Sequence, residues 1–164
     1  LYARRQRQMC IRDSFKRWFI EMGSPPLFYR WSSKALVWLG VSSIIILSLG
    51  LFMGIGLSPA DYKQGDVYRI IYIHVPSAIM GESLFIFMAV CGFINIIWRA
   101  KISGMLLKAA APIGMSFVLL VLTTGSIWGK PTWGTWWVWD ARLTSTLILF
   151  FIYAALIGLS LIHI

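Results

Sequence analysis

The chain is poor in the residues on which enzymes, metal clusters and disulfide frameworks depend. Its 164 residues include two cysteines, two histidines and six acidic residues. Two cysteines are too few for a disulfide framework, and Cys91 lies within a long apolar segment, as a small core residue does. The sequence contains no catalytic triad, Walker motif, HExxH motif or paired CxxC motif. The sequence therefore lacks these signatures of common enzyme classes.

Charge is also scarce, whereas apolar residues are abundant. Charged residues make up 13% of the chain and hydrophobic residues 59%. This composition is typical of an integral membrane protein surrounded by a lipid bilayer. The net charge is +9, but a nucleic-acid-binding protein would need that charge on one surface, and here it is divided between segments. We therefore expect no nucleic-acid partner.

Four apolar segments are long enough to cross a bilayer, which takes about 20 residues in a helix. None shows the alternation of a strand, so each is predicted to be a helix. The expected spans are residues 35–57, 75–98, 106–128 and 143–162. The predicted fold class is therefore all-α, a polytopic helical membrane protein with four transmembrane helices in this chain.

The distribution of Lys and Arg predicts the orientation of these helices. Residues 1–34 hold eight Lys or Arg and two acids, and the loop 98–108 holds three Lys or Arg and no acid. In the loops 58–73 and 129–143, two basic residues each are wholly or partly balanced by Asp. Basic segments stay on the cytoplasmic side. We therefore expect a cytoplasmic N-terminus and two outer loops.

The two ends of the chain differ from the rest. LYARRQRQMCIRDS at the start and LSLIHI at the end resemble translated sequencing-adapter sequence, although a genuine basic juxtamembrane tail is the alternative. The expected organisation is a non-native tail at 1–14, a cytoplasmic juxtamembrane segment at 15–34, a transmembrane domain at 35–160 with outer loops 58–74 and 129–143, and a second tail at 161–164.

The second outer loop contains a dense run of tryptophan. Residues 128–145 read WGKPTWGTWWVWDARLTS, with five tryptophans in twelve residues. An aromatic belt that only anchors helices is sparser, so the run is predicted to form a platform for a flat aromatic ligand. The five are Trp128, Trp133, Trp136, Trp137 and Trp139.

His74 is expected at the same membrane face, just before the second span. A lone interfacial histidine is commonly a polar anchor, but imidazole is also a good haem-iron ligand, and a porphyrin is flat. Arg69, Lys130 and Arg142 are candidate partners for haem propionates. The predicted topology puts His163 about 30 Å away along the fourth helix, on the cytoplasmic side, so it is not expected to share an iron with His74.

Two acids have open roles. Asp140 could pair with Arg142 as an acid and its partner, but it is more simply a cap of the fourth helix or an acceptor for tryptophan N–H groups. Glu82 is the one acid inside a span, where either a structural contact or a functional role would fit.

The tryptophan run resembles the WWD signature of haem-handling membrane proteins. Trp139-Asp140 is followed by Ala-Arg-Leu-Thr, which resembles the haem exporter protein C family of cytochrome c maturation. Related lyase and synthase families tend to have Trp-Asp-Pro and then an acid. PADYKQGDVYRIIYIHVP and APIGMSFVLLVLTTGSIWGKP also resemble this family, so the likeness covers about residues 25–158.

The resemblance implies six transmembrane helices and non-covalent haem b at the outer face of the bacterial inner membrane, held by two axial histidines. His74 matches one of them; the other belongs to a loop that this chain does not reach. The five tryptophans would form the porphyrin wall, and Asp140 and Arg142 would organise the loop. The implied partners are a haem chaperone, which receives the haem, and ABC-type transporter subunits. The alternatives are a haem transmembrane transporter and a haem lyase or synthase.

Overall fold

The computed structural model describes residues 24–162 of the chain. The expected tail at 1–14, the first part of the juxtamembrane segment 15–34 and His163 in the second tail lie outside the described residues. Four helices account for most of the described part: α1 (Pro25–Leu51), α2 (Ile71–Trp98), α3 (Lys101–Trp133) and α4 (Ala141–Ile162). A π-helical turn, Phe52–Leu57, continues α1, and a 3-10 turn, Asp66–Ile70, leads into α2.

All four helices are long and apolar enough to cross a membrane. Over residues 24–162 the only β feature is an isolated bridge between Asp61 and Gly65. The chain is therefore an all-α polytopic membrane protein, as the sequence predicts.

The helices extend beyond the apolar spans. The first begins at Pro25 rather than residue 35, and α3 continues through Pro131 to Trp133. Gly134, with a left-handed φ of 80°, ends α3 by donating its N–H to the Lys130 carbonyl. The expected outer loop 129–143 therefore shrinks to 134–140, and His74 lies in the first turn of α2. Hydropathy identifies the apolar part of each helix, whereas the helical hydrogen bonds do not end where the polar residues begin.

Helices α2, α3 and α4 form the packed bundle, with α3 between the other two. The buried apolar cluster of the bundle consists of Met88, Ala110, Ala111, Val118, Leu122 and Tyr153. Cys91 is also buried, as expected of a core residue. Helix α1 has no buried residue; its π-helical turn contacts the bundle where Gly54 meets the ring of Tyr72.

Tyr153 joins the three packed helices. Its side chain is fully buried, and its hydroxyl donates to the Gly81 carbonyl of α2 at 2.9 Å. The ring lies so close to α3 that a Cβ at Gly114 would be 2.4 Å from it. Small residues permit such close approach between membrane helices, and glycine at positions 81 and 114 allows the three helices to pack in this way. This contact fixes the three helices relative to one another within the bundle.

Candidate functional site

A cavity of about 120 Å³ lies where α2 begins, α3 ends and α4 begins. Five of the predicted site residues line it: His74, Trp128, Trp133, Asp140 and Arg142. Four residues that the sequence did not identify as site residues complete the lining: Gln64, Gly125, Thr132 and Leu143. The structure therefore brings together the two outer segments that the sequence placed on one face.

The imidazole of His74 is half-buried against α3. Its Nδ1 lies 2.8 Å from the Thr124 hydroxyl oxygen. Its ring meets the edge of Trp128, with ring centroids 5.7 Å apart and planes at 75°. Gly125 passes beside the ring, and a Cβ there would be 3.2 Å from Cε1 of His74. The ring is therefore confined by a hydroxyl, an indole and the backbone of α3.

Trp128 is oriented by the loop that precedes α2. Its indole N–H donates to Oε1 of Gln64 at 2.8 Å. Oδ1 of Asp61 accepts the backbone N–H of Gln64 at 2.8 Å and that of Lys63 at 2.9 Å. These N–H groups, that of Gln64 above all, lower the pKa of Asp61 because they stabilise its charged form. The loop conformation thus carries Gln64 to the cavity.

Asp140 caps α4. Its Oδ1 accepts the backbone N–H of Leu143 at 2.7 Å, which satisfies an unpaired donor at the helix start and confirms the predicted capping role. The Arg142 guanidinium lies 3.9 Å from Oδ2 of Asp140, and the Arg142 side chain is 79% exposed. Such an exposed, long pair is weak, so Arg142 stays accessible as a cation beside the cavity.

The five tryptophans do not form a single flat surface. Trp128 and Trp133, on α3, line the cavity, whereas the other three follow the helix end. Trp136 and Trp139 are exposed. Trp137 packs against the buried cluster and meets Trp139 edge-on, with planes at 77°. The end of α3 at Gly134 divides the run into these two groups.

Other polar candidates lie elsewhere. Arg69 pairs with Asp66 at 3.2 Å and faces a separate apolar groove. The Lys130 ammonium donates to the Gly134 carbonyl at 3.1 Å. Glu82 is exposed on α2 and does not line the cavity. Of the three cations considered for propionates, only Arg142 lines the cavity.

The donor set suits haem better than a bare metal ion. Within residues 24–162 no cluster of three or more His, Cys, Asp or Glu side chains could hold a metal. A porphyrin brings its own four nitrogens, so one imidazole is sufficient protein ligation on one side of the iron. The volume of the cavity is below the ~300–1,000 Å³ of typical small-molecule pockets, so only part of a large ligand fits inside it. The exposed indoles are available to contact the part that remains outside.

Comparison with known proteins identifies the family. Residues 18–162 match the family described as Heme exporter protein C. Heme exporter protein C of Escherichia coli K12 is 48% identical over 139 residues, which cover 85% of this chain and 57% of the relative. The proteins of the same name from Haemophilus influenzae and Bradyrhizobium diazoefficiens are 41% and 42% identical, over 87% and 85% of this chain and 58% and 53% of their own lengths.

The chain thus spans a little over half the length of these relatives. The match of the family over most of the chain, together with the identities of more than 40%, leads to one conclusion: this chain belongs to the Heme exporter protein C family.

Proposed function

We propose that this chain holds haem at the outer face of the bacterial inner membrane during cytochrome c maturation, with His74 as one axial ligand of the iron. The observation that carries the proposal is the shared cavity. His74, Trp128 and Trp133 come from the two separate outer segments, and all three line it. A histidine that only anchored the chain in the interface would not require an aromatic partner from a second segment.

The described residues offer the interactions that haem needs. His74 supplies a nitrogen ligand, and Arg142 supplies an accessible cation for a propionate. The exposed faces of Trp133, Trp136 and Trp139 offer apolar contact to the porphyrin. Asp140 and Trp137 act indirectly: the first caps α4, and the second fixes the loop to the bundle core.

The haem would be bound without a covalent bond to the protein, as haem b. A thioether link would need a cysteine at the site. Cys91, the cysteine in the described part of the chain, is buried in the bundle and does not line the cavity. The iron and porphyrin would supply the redox-active, reactive group, and the protein would orient and deliver it.

The proposed partners follow from the family. The haem would pass to a membrane-anchored haem chaperone, and the protein would assemble with ABC-type transporter subunits; the chain itself would not be an enzyme. The excess of Lys and Arg in residues 1–34 supports a cytoplasmic N-terminus, which would put the cavity at the outer face.

A conduit for haem through these helices is less well supported. The centre of the described bundle is filled by apolar side chains, among them the almost fully buried Val118 and Tyr153. A pore would need polar groups facing one another along the same path. The described helices therefore favour a holding site at one end over a passage between them.

The test of the proposal is haem content. The chain and its His74→Ala variant are purified from cells that make haem, and the Soret absorbance per protein is compared. We expect His74→Ala to lose most of the haem, whereas Lys130→Ala, which removes a cation outside the cavity, keeps it. Equal haem content in His74→Ala and the unmodified chain would refute the assignment.

A further inference from the structure

We propose that Thr124 is a positioning residue that holds His74 in the tautomer protonated at Nδ1, so that the lone pair available for iron is on Nε2. This inference rests on the proposed function for its purpose, but its structural content stands without haem. Thr124 lies on α3 and is separated from His74 by 50 residues along the chain.

The first step concerns the single proton of the Thr124 hydroxyl. Oγ1 of Thr124 lies 2.5 Å from the Leu120 carbonyl oxygen, one turn earlier on α3. A carbonyl oxygen can only accept, so the hydroxyl proton must lie between these two oxygens. If the proton pointed elsewhere, two oxygen lone pairs would face each other at that distance.

The second step concerns the imidazole. Nδ1 of His74 lies 2.8 Å from the same Oγ1. Because the proton of the hydroxyl is already committed to Leu120, Oγ1 can only accept from the ring, and Nδ1 must carry a hydrogen. A neutral imidazole has one N–H donor and one acceptor nitrogen. The acceptor is therefore Nε2.

The third step concerns the orientation of the ring. The ring lies close to the backbone of α3 at Gly125, where an added Cβ would be 3.2 Å from Cε1, and it makes a T-shaped contact with Trp128. The hydrogen bond to Thr124 and these two contacts act together. Metal-binding histidines commonly donate their second N–H to an oxygen in this way, which fixes both tautomer and direction.

Thr124 has a natural control in its neighbour. The hydroxyl of Thr123 also donates to backbone carbonyls of α3, those of Leu119 and Leu120, both at 3.0 Å. It has no bond to His74. Thr123→Val therefore removes a comparable hydroxyl from the same helical turn without changing the partner of the imidazole.

The test reads the tautomer directly in the haem-free chain. The protein is labelled with nitrogen-15 in its two histidines, and His163→Gln identifies the signals of His74. At alkaline pH, where imidazole is neutral, we expect Nδ1 of His74 to give the protonated-nitrogen shift and Nε2 the unprotonated one. Thr124→Val should move the two shifts toward each other or exchange them, whereas Thr124→Ser and Thr123→Val should preserve the original pattern.

A second measurement connects the tautomer with haem. Added haem should bind to Thr124→Val about tenfold more weakly than to the unmodified chain, as is typical when a residue that orients a metal ligand is lost. Binding to Thr124→Ser should stay within about twofold, because the serine hydroxyl can still accept the N–H.

The outcomes separate the two proposals. A proton on Nε2 in the unmodified chain, or an unchanged Nδ1–H tautomer in Thr124→Val, would overturn the role of Thr124. Haem retained by His74→Ala would instead overturn the assignment of His74 as an axial ligand, and the tautomer measured without haem would be unaffected by that result.

Discussion

The indole N–H of Trp128 donates to Oε1 of Gln64 at 2.8 Å, across 64 residues of chain. This bond connects the end of α3 to the loop before α2. It also fixes the indole whose edge meets His74. The proposed iron ligand and the aromatic ring beside it are thus positioned by polar contacts from different segments: Thr124 holds the first and Gln64 the second.

We expect Gln64→Leu to disturb Trp128 without unfolding the bundle. The half-buried indole N–H would lose its acceptor, which costs about 1–3 kcal/mol for a buried donor and less where water can reach it. Haem binding should weaken several-fold, and the tryptophan fluorescence should change. Gln64→Glu retains an acceptor oxygen and serves as the control. The prediction fails if both variants bind haem as the unmodified chain does.

A pH effect is expected in the loop before α2. The pKa of Asp61 is lowered by the backbone N–H groups of Gln64 and Lys63, so its ionised form stabilises the folded loop. That contribution is complete above the unfolded-state pKa of about 3.9 and disappears as the pH falls through the lower folded-state value. Asp61→Ala should therefore speed hydrogen exchange at the Lys63 and Gln64 amides at neutral pH. Asp61→Asn keeps an acceptor oxygen, so it should speed the exchange of these amides less than Asp61→Ala does. In acid, where Asp61 of the unmodified chain becomes protonated, the exchange rates of the unmodified chain and of Asp61→Ala should become more similar.

Gly114 should tolerate no side chain. A Cβ there would be 2.4 Å from the Tyr153 ring, whereas a Cβ at Gly92 would meet Leu107 at an ordinary 3.5 Å. Overpacking of this kind costs about 1–3 kcal/mol. We expect Gly114→Ala to lower the midpoint of thermal unfolding in detergent and Gly92→Ala to leave it nearly unchanged. Similar midpoints for the two variants would show that the Tyr153 ring does not pack closely against Gly114.

The effect of replacing each tryptophan should depend on whether its side chain is packed against the bundle or exposed. Trp137 packs against the buried cluster, so Trp137→Ala is expected to lower stability. Trp136 and Trp139 are exposed, so their alanine variants should keep stability and lose haem, with Phe replacements milder than Ala. The measurement is the haem-to-protein ratio at matched expression. Equal ratios in all variants would mean that these rings only anchor the chain in the membrane interface.

Sequence patterns predicted the four helices, and they predicted that His74 and the tryptophan run would lie close together, for physical reasons. Long apolar segments have few alternatives to helices in a bilayer, and the distribution of Lys and Arg assigns His74 and the tryptophan run to the same face. The structure gives these two segments a common cavity. The capping role of Asp140 also followed from its place before an apolar helix.

The remaining parts of the site depend on contacts between distant residues. In the sequence, Gln64 is an ordinary loop glutamine and Thr124 is one of several hydroxyl residues in an apolar helix. Only the structure shows that Gln64 contacts Trp128 and that Thr124 contacts His74. Thr123-Thr124 near the end of a span was the available signal for the latter. The division of the tryptophans was missed because hydropathy ends the third span at 128, whereas the helix continues to Trp133.

The most direct measurement of the central claim is chemical rescue of the iron ligand. His74→Gly leaves space for free imidazole beside Trp128, and the axial ligation of added haem is followed by its Soret band and by resonance Raman spectroscopy. We predict that the histidine-ligated spectrum of the unmodified chain is lost in His74→Gly, returns when imidazole is added, and is unaffected by His163→Gly. An unchanged axial-ligand spectrum in His74→Gly without imidazole would contradict this prediction.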